Sequence, residues 1–469
     1  MTLKISRRNF IWLSTLTSAC SFTPLTNLST NDPWQRADQI RHALHDPIIP
    51  KQVFNVLEYG AIGDGLTINT AAFANAINTC AKAGGGRITI PAGQYLTGAI
   101  HLQSNIELHV ESGAVLLFST NPKDYPTVFS RYEGVEVYNY SALIYARDCE
   151  NIAITGKGLL HGQAADENWW SWCGSPKFGW QPGMPRQTED RDLLFNMAEQ
   201  GIAVEKRVFG LGHYLRPSLI EFYNCKNVLI EDVSLQDSPF WNIHPILCQN
   251  VIVRGVNVTG HGPNNDGCNP ESVNTMLIEN CRFDTGDDCI AIKSGRNADG
   301  RRLATPSKNI LINQCQMKAG HGGVVIGSEI SGDVHHVFIE HCQMDSPDLW
   351  YALRFKNNAM RGGRIANIYA RDIEVGQVTF AAITCDFNYE EGANGQFTPE
   401  LYNLNVQRLH VQNAVRVLDS QGLLGAPISG IHLKDCSFHG VSEKSIVKHT
   451  RELTLDNVQI NGKTIHSLT

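Results

Sequence analysis

Four short polar motifs recur along the middle of the chain and carry the residue types that acid–base chemistry needs. They are Asn264-Asn265-Asp266, Gly286-Asp287-Asp288, Gly320-His321-Gly322 and Arg354-Phe355-Lys356. A carboxylate buried beside an apolar strand is costly unless its charge has a role. Carboxylates and a histidine can exchange protons with a substrate, and a pair of cations can hold an anionic one. We therefore interpret the four motifs as one catalytic face.

The motifs stand at similar phase in a longer repeat, which would bring their side chains together. Asp266, Asp287, His321 and Arg354 each fall roughly half a repeat after the residue that opens it. Residues at one phase of stacked strands lie about 4.8 Å apart in neighbouring coils. Taken singly, an Asp-Gly pair or Gly-His-Gly is typical of a turn, and two alternate cations are typical of a solvated edge. Four motifs at matching phase favour catalysis, because clustered charges perturb proton affinities.

Adjacent aspartates pose a geometric difficulty. Successive strand residues point to opposite faces, so Asp287 and Asp288 cannot both face a cleft from a regular strand. We expect Gly286 to allow a bulge or bend that re-aims one of them.

The fold follows from the repeats. Segments of the form Asn-apolar-x-apolar begin at Asn227, Asn250, Asn274, Asn309, His336 and Asn367, with fainter copies at Asn105 and Asn151. Period-two alternation predicts strands, and the polar, glycine-rich gaps predict turns. Repeats of this length without a helix predict an all-β parallel β-helix, while the leucine-rich-repeat frame is absent. The recurring asparagine is expected to adopt left-handed backbone or to join a ladder of amides.

Both ends and one central segment depart from this repeat. Residues 33–44 predict a short helix with Asp32 at its N-cap, and residues 70–83 predict a helix that caps the open end of the solenoid. Residues 163–216 form an excursion rich in tryptophan, glycine and proline. Its tryptophans Trp169, Trp170, Trp172 and Trp180 either stack on sugar rings or pack as a small satellite cluster.

Composition sets further limits. The net charge of -7 and pI near 6.2 argue against nucleic-acid binding, and an anionic substrate would need local cations. Of the 13 cysteines, Cys281, Cys315, Cys342 and Cys436 occupy one phase of the repeat. We expect them to be free, buried thiols. No Cys-x-x-Cys pair is present, so a zinc site is not expected.

The first residues predict export. Residues 1–26 resemble a twin-arginine signal, with Arg7-Arg8 before a short apolar stretch, and Cys20 stands in a weak lipoprotein-type box. This predicts a periplasmic or extracellular protein and makes Cys20 a candidate lipid anchor. Residues 27–50 are interpreted as an N-terminal extension, and residues 51–469 as a single β-helix catalytic domain.

The four motifs together resemble glycoside hydrolase family 28, the polygalacturonases, whose pattern is Asn-Thr-Asp, Gly-Asp-Asp, Gly-His-Gly and Arg-Ile-Lys. The opening run from Tyr59 to Gly65 and the Ile90-Pro91-Ala92-Gly93 segment are also similar to that family. Asn269 is a departure, since relatives often have aspartate there. The resemblance covers nearly all of the chain after residue 50 and is nearest to bacterial exo-polygalacturonases.

The resemblance implies a right-handed parallel β-helix that hydrolyses α-1,4-galacturonide bonds of pectin with inversion, without metal or cofactor. Carried over by position, Asp287 is the general acid, kept protonated by its flanking carboxylates, and Asp266 and Asp288 activate the attacking water. The roles of the remaining residues are assigned in the same way: His321 tunes the network, Arg354 and Lys356 bind the galacturonate carboxylate, and Asn264 contacts substrate. Inversion predicts carboxyl groups roughly 6.5–9.5 Å apart.

Other functions remain open at this level. They are a rhamnogalacturonan or xylogalacturonan hydrolase, a pectate lyase, and a non-catalytic carbohydrate-binding solenoid. A lyase would need calcium-binding carboxylates and an arginine base, whereas the acids here lie in the hydrolase motifs. The excursion, if it closes one end of a cleft, favours exo action on oligogalacturonides. We expect a monomer.

Overall fold

The computed structural model describes residues 32–468, and the export signal predicted for residues 1–26, with Cys20, lies outside them. Within the described range, no helix has both the length and the apolar character needed to cross a membrane. Strands dominate and pair almost entirely in parallel, each with the equivalent strand of the next coil. This is the right-handed parallel β-helix that the sequence predicts.

Three columns of strands make up the solenoid. The first, here called the cleft column, contains Ile100–His101, Ile144–Arg147, Ile220–Tyr223, Ile243–Ile246, Ile290–Ile292, Val324–Ile326, Tyr351–Lys356, Ala381–Asp386, Arg416–Gln421 and Ile446–Lys448. Parallel bridges from Ile243 to Cys268 and from Cys268 to Ile290 join its two halves. The coil that carries Asp266 therefore lies between the two halves.

The second and third columns form one continuous sheet. The second contains Val53–Asn55, Gly86–Ile90, Ile106–Val110, Glu150–Gly156, Lys226–Glu231, Gln249–Arg254, Asn274–Glu279, Ser307–Asn313, Val334–Glu340, Arg364–Gln377, Glu400–Asn413, Ile428–Lys434 and Thr450–Asp456. The third contains Asp64–Ile68, Gly93–Thr97, Ala114–Phe118, Leu159–His161, Ser234–Gln236, Asn257–Gly260, Arg282–Thr285, Gln316–Met317, Gln343–Met344, Ser437–Phe438 and Val458–Ile460, with Lys463–Ile465 pairing antiparallel at the end. The long strands Arg364–Gln377 and Glu400–Asn413 take part in both.

The recurring asparagines form the ladder that the sequence predicts. Asn151, Asn227 and Asn250 each donate from the side-chain amide to the asparagine of the preceding coil at 3.0 Å. Their φ angles are near 55°, in the left-handed region that asparagine tolerates better than most residues. The ladder closes each turn and fixes the register of successive coils.

Apolar residues and cysteines fill the interior. One row runs through Ile152, Val228, Val251 and Met276, which are paired in register and essentially inaccessible to solvent. The twelve cysteines of the described range are all free, and every one except Cys173 is buried. The prediction of free, buried thiols is confirmed for Cys281, Cys315, Cys342 and Cys436.

Two helices lie in the N-terminal part of the chain. Helix α1 (Trp34–Ala43) has Pro33 at its N-cap and not Asp32 as predicted, although Asp32 accepts a hydrogen bond from the Trp34 backbone at 3.0 Å. Helix α2 (Thr70–Lys82) buries Phe73, Ala76 and Ile77 in the core at the open end of the solenoid, as predicted. The amphipathic spacing of these residues is what lets one helix cap the stack.

Helix α1 lies along the side of the solenoid. The second column presents an outward apolar row that passes in register from Leu277 to Leu311 and Phe338. Ala37 and Ile40 of α1 pack on these residues, and Trp34 packs edge-on against Phe338 at 5.6 Å. Strands buried on both faces read as continuous apolar runs, which explains sequences such as Met276-Leu277-Ile278.

Segments that leave the solenoid build walls beside the cleft column. They are the hairpin of Thr127–Tyr132 and Val135–Tyr140, helix α3 (Thr188–Glu199), strand Val208–Phe209, helix α4 (Asn297–Leu303) and the short 3-10 helices Pro122–Asp124, Trp170–Cys173, Pro176–Phe178 and Val204–Lys206. The 3-10 helix Val56–Tyr59 instead packs against α2. Trp169 is buried and packs against Tyr125 and Trp172. Trp169 and Trp172 therefore match the second of the two expectations, which was a packed cluster.

Candidate active site

Three carboxylates meet on the outer face of the cleft column. Asp287 and Asp288 lie in the bend between Arg282–Thr285 and Ile290–Ile292, and Asp266 lies in the preceding coil. One oxygen of each carboxylate lies within 4.8 Å of the other two. The structure therefore brings together the three acids that the sequence places at one phase.

The bend at Gly286 resolves the difficulty with adjacent aspartates. A Cβ on Gly286 would lie 2.3 Å from the carbonyl oxygen of Gly262, so only glycine fits against the previous coil. The Asp288 backbone N–H donates to Asp287 Oδ1 at 2.9 Å. Because the pair stands in a bend and not in a strand, both side chains reach the site.

The spacing of the acids is shorter than expected. An inverting glycosidase typically separates its two carboxyl groups by roughly 6.5–9.5 Å, whereas here oxygens of all three come within 4.8 Å. The coil spacing of about 4.8 Å, which the matching phase also predicts, thus brings these oxygens closer than the separation that inversion implies. A water about 2.8 Å from each of two such oxygens would still have ordinary hydrogen-bond geometry. The cluster can therefore hold a water directly.

Asp287 is the most accessible of the three acids and is paired with His321. Its side chain is 19% exposed, against 2% for Asp288, and His321 Nδ1 lies 2.9 Å from Asp287 Oδ1. Trp350 stacks on His321 with ring centroids 3.8 Å apart. The indole thus holds the imidazole in place against Asp287.

Asp288 is held by the two cations of the fourth motif. Lys356 Nζ donates to Asp288 Oδ2 at 2.8 Å, and Arg354 Nη1 lies 3.5 Å from Asp288 Oδ1. Lys356 is buried, while the Arg354 side chain is 13% exposed. Of the two residues predicted to bind substrate, Arg354 is therefore the more accessible.

Asp266 is buried and fixed by Asn269, the residue that departs from the family pattern. The Asn269 amide donates to Asp266 Oδ2 at 2.9 Å. Burial raises the pKa of Asp266 well above its usual range, and the charges of Asp287 and Asp288 add to this, while Lys293 opposes it. An aspartate at position 269 would add a fourth carboxylate here, whereas the amide stabilises the carboxylate form of Asp266.

The order of protonation differs from the sequence-based expectation. Burial raises the pKa of Asp287, but the hydrogen bond and charge of His321, with Lys356, outweigh it and lower the pKa to about 2. We expected the flanking carboxylates to keep Asp287 protonated. The flanking carboxylates instead add to the raised pKa of the buried Asp266, whereas His321 lowers the pKa of Asp287.

Asn264 lies at the edge of the same site. Its Oδ1 accepts a hydrogen bond from Arg216 at 2.7 Å, and its backbone is left-handed with φ of 56°. Asn264 lines the cavity that contains the acids. Arg216, fully buried, sets the orientation of its amide.

Two cavities flank Asp287. The first, of about 300 Å³, contains the three acids and is lined on its far side by residues of the excursion and of the hairpin, including Gln187, Arg191 and Glu133. The second, of about 330 Å³, is lined by His321, Trp350 and Lys177. Trp169 and Trp172, which were candidates for stacking on sugar rings, line neither cavity.

Several residues of the first cavity were not predicted. Lys293 is buried, pairs with Glu329 at 2.9 Å and adds a cation beside Asp266. Arg296, Trp241 and Tyr389 also line the cavity. Lys293 could have been found from the alternation in Ile290-Ala291-Ile292-Lys293, which puts it on the outward face, whereas the others come from loops whose positions only the fold reveals.

The three acids are also the cluster in the described range with metal-ligand geometry. Lys356 already donates to Asp288, and Lys293 adds positive charge beside Asp266. A divalent cation bound here would be repelled by these two positive charges, or would have to displace Lys356 from Asp288. The donor set therefore fits proton chemistry better than a resident metal.

Comparison with known proteins gives a consistent result. The profile "Glycosyl hydrolases family 28" matches residues 212–451, and "Rhamnogalacturonase A/epimerase, pectate lyase-like" matches residues 53–124. An exo-poly-alpha-D-galacturonosidase of Dickeya chrysanthemi is 27% identical over 89% of this chain and 75% of its own length. A probable polygalacturonase of Vitis vinifera is 27% identical over 82% and 74%.

Among solved structures, an exopolygalacturonase of Thermotoga maritima superposes with a TM-score of 0.90 and 43% identity, covering 92% of this chain and 97% of that one. The family profile spans more than half of the chain and includes all four motifs. On these grounds, and with the acid cluster in place, the chain belongs to glycoside hydrolase family 28.

Proposed function

We propose that this protein is an exo-acting polygalacturonase that hydrolyses α-1,4-galacturonide bonds of pectic chains from the non-reducing end, with inversion. The observation that carries the proposal is the cluster of Asp266, Asp287 and Asp288 in a cavity that residues of the excursion help to enclose. The similarity to exopolygalacturonases along nearly the whole chain supports exo action.

In the proposed mechanism the three acids share one proton. Burial favours this proton on Asp266 in the ligand-free site. Bound substrate displaces water from Asp287 and brings uronate charges close, and both effects raise the pKa of Asp287. The proton can then pass to Asp287, which protonates the glycosidic oxygen, while Asp266 and Asp288 accept a proton from the attacking water.

The remaining residues of the site support this chemistry. His321, held by Trp350, orients Asp287 and stabilises its carboxylate after the proton has left. Arg354 is placed to pair with a galacturonate carboxylate, and Lys356 holds Asp288. Asn264, fixed by Arg216, is placed to donate from its amide to a sugar oxygen.

Digestion of long, de-esterified galacturonan is expected to release mono- or digalacturonate from the outset while viscosity falls slowly. Proton NMR of the first product should show the β-anomer, because inversion converts the α-linkage. Activity in a chelator without any ultraviolet-absorbing unsaturated product would separate this enzyme from a lyase. An early collapse of viscosity would show endo action. Turnover only on rhamnogalacturonan or xylogalacturonan would show that this polymer, and not galacturonan, is the substrate.

Lys293→Met is expected to move the alkaline limb of the kcat/KM profile to higher pH. Lys293 lowers the pKa of Asp266 against burial and the Asp287 charge. Without this cation Asp266 keeps its proton to higher pH, so the singly protonated, active cluster persists further. Methionine preserves the bulk of the side chain. The double variant with Lys293→Met and Glu329→Gln controls for the lost ion pair. A limb that is unmoved, or moved to lower pH, would mean that Asp266 does not store the proton.

Export belongs to the same proposal, since pectic polymers lie outside the cell. Residues 1–26 would direct it, and Cys20 would be the acylated first residue if the protein is a lipoprotein. The mass of the mature N-terminus decides between cleavage with and without a lipid. We further propose a monomer, which light scattering tests.

A further inference from the structure

The first cavity is lined by three glutamates, although the proposed ligand is an anion. Arg296 stands at their centre, with guanidinium nitrogens 3.3 Å from Glu133, 3.1 Å from Glu329 and 3.8 Å from Glu390. Carboxylates repel a uronate, so these side chains need a role other than holding its charge. A carboxylate is, however, a strong acceptor for the hydroxyl groups of a sugar.

Two of the three glutamates are already occupied. Both oxygens of Glu133 accept from Arg191, at 3.0 and 2.9 Å, and both oxygens of Glu329 are paired, one with Lys293 and one with Arg296. Each of these two residues is less than 9% exposed. Glu390 differs because its side chain is 33% exposed and its ion pairs use Oε2, which leaves Oε1 as an acceptor for a ligand.

Glu390 is also held rigidly. Its Oε2 lies 2.6 Å from Nη2 of Arg361, whose side chain is completely buried, and the next residue, Glu391, is bonded by Asn358 at 2.8 Å. The backbone of Glu390 is left-handed, with φ of 51°. Such strain in a bulky residue persists only where the surroundings enforce it, which is common in ligand-binding loops.

We infer that Glu390 recognises a free hydroxyl group on the terminal, non-reducing sugar of the chain. This inference rests on the proposed function and specifies which chain ends the enzyme accepts. An end left by hydrolysis carries the O4 hydroxyl, whereas β-elimination leaves a C4–C5 double bond and no oxygen at C4. The enzyme therefore acts after chain cleavage by hydrolysis and rejects ends produced by a lyase, because a ligand that covers Oε1 of Glu390 without donating to it leaves this acceptor unpaired.

The test compares two trimers, saturated trigalacturonate and 4,5-unsaturated trigalacturonate, as substrates of the purified protein. Wild type should cleave the saturated trimer with a kcat/KM at least about 100-fold higher. In Glu390→Gln, kcat/KM should fall roughly 10- to 100-fold on the saturated trimer and much less on the unsaturated one. The ratio of the two kcat/KM values should therefore decrease. Glu400→Gln is the matched control, because Glu400 is exposed and does not line the cavity, and it should keep the wild-type ratio of the two kcat/KM values.

Equal losses on both trimers in Glu390→Gln would overturn the inference, as would a wild type that cleaves both trimers equally well. The comparison of the two trimers with the wild type needs no variant, so it can overturn the inference even if Glu390→Gln does not fold. A wild type that cleaves neither trimer, nor longer galacturonan, would instead overturn the proposed function on which the inference rests.

Discussion

Asp287→Asn is expected to lower turnover of galacturonan by about 100-fold or more while the protein remains folded, because an amide cannot supply the proton that the leaving oxygen needs. Asp287 is the most exposed of the three clustered acids and stands between the two cavities, where the scissile oxygen would lie. The measurement is kcat on oligogalacturonides, with thermal unfolding to check the fold. Asp38→Asn, an exposed aspartate on α1, is the matched control.

A substrate with a better leaving group separates the acid from the other two carboxylates. On nitrophenyl galacturonide the departing oxygen needs little protonation, so Asp287→Asn should come within about tenfold of wild type. Asp266→Asn and Asp288→Asn should stay inactive on both substrates, because the water must still be activated. Rescue of Asp266→Asn instead of Asp287→Asn would exchange their roles, and the raised pKa of Asp266 makes this the alternative to exclude.

Lys356→Ala and Arg354→Ala are expected to fail in different ways. Lys356 is the buried partner of Asp288, so its removal should lower activity on acidic and methyl-esterified oligomers alike and cost about 3–5 kcal/mol of folding stability. Arg354 is more accessible, and its loss should weaken use of the free acid by roughly 10- to 100-fold while sparing the ester.

The measurement is kcat/KM on both oligomers, with thermal unfolding of each variant. Arg364→Ala controls for the loss of an arginine, since Arg364 pairs with Asp333 on an exposed surface. If Lys356→Ala lost only its preference for the free acid, Lys356 would be the residue that binds the uronate. An unchanged preference in Arg354→Ala would remove Arg354 from that role.

The repeat made the fold predictable, because each coil contains the same local sequence pattern. The asparagine that opens a repeat and the cysteine that follows it face the same surroundings in every coil, so one interpretation served for all. The acid cluster followed from the same register. Helix α1 also had a local signal, although the outward apolar row that receives it was not recognised beforehand in runs such as Met276-Leu277-Ile278.

What escaped prediction depends on contacts between distant segments. Glu133 and Arg296 are 163 positions apart and meet because the hairpin folds across the cleft column. The protonation order likewise depends on which cation faces which acid, and Lys293 had no assigned partner in the sequence. A tryptophan-rich loop next to a sugar site suggested stacking, yet Trp169 and Trp172 pack on each other, because large aromatic rings gain more from mutual burial.

The position of α1 has a consequence for the order of folding. Arg36 and Arg41 bond to Asn309 and Glu340, 273 and 299 positions further along the chain. A growing chain cannot make these contacts until the coils that bear them exist, and closing so long a loop is entropically demanding. Helix α1 therefore becomes fixed only after the coils that bear Asn309 and Glu340 have formed, although it is synthesised first. Its docking marks a solenoid that is complete through its central coils.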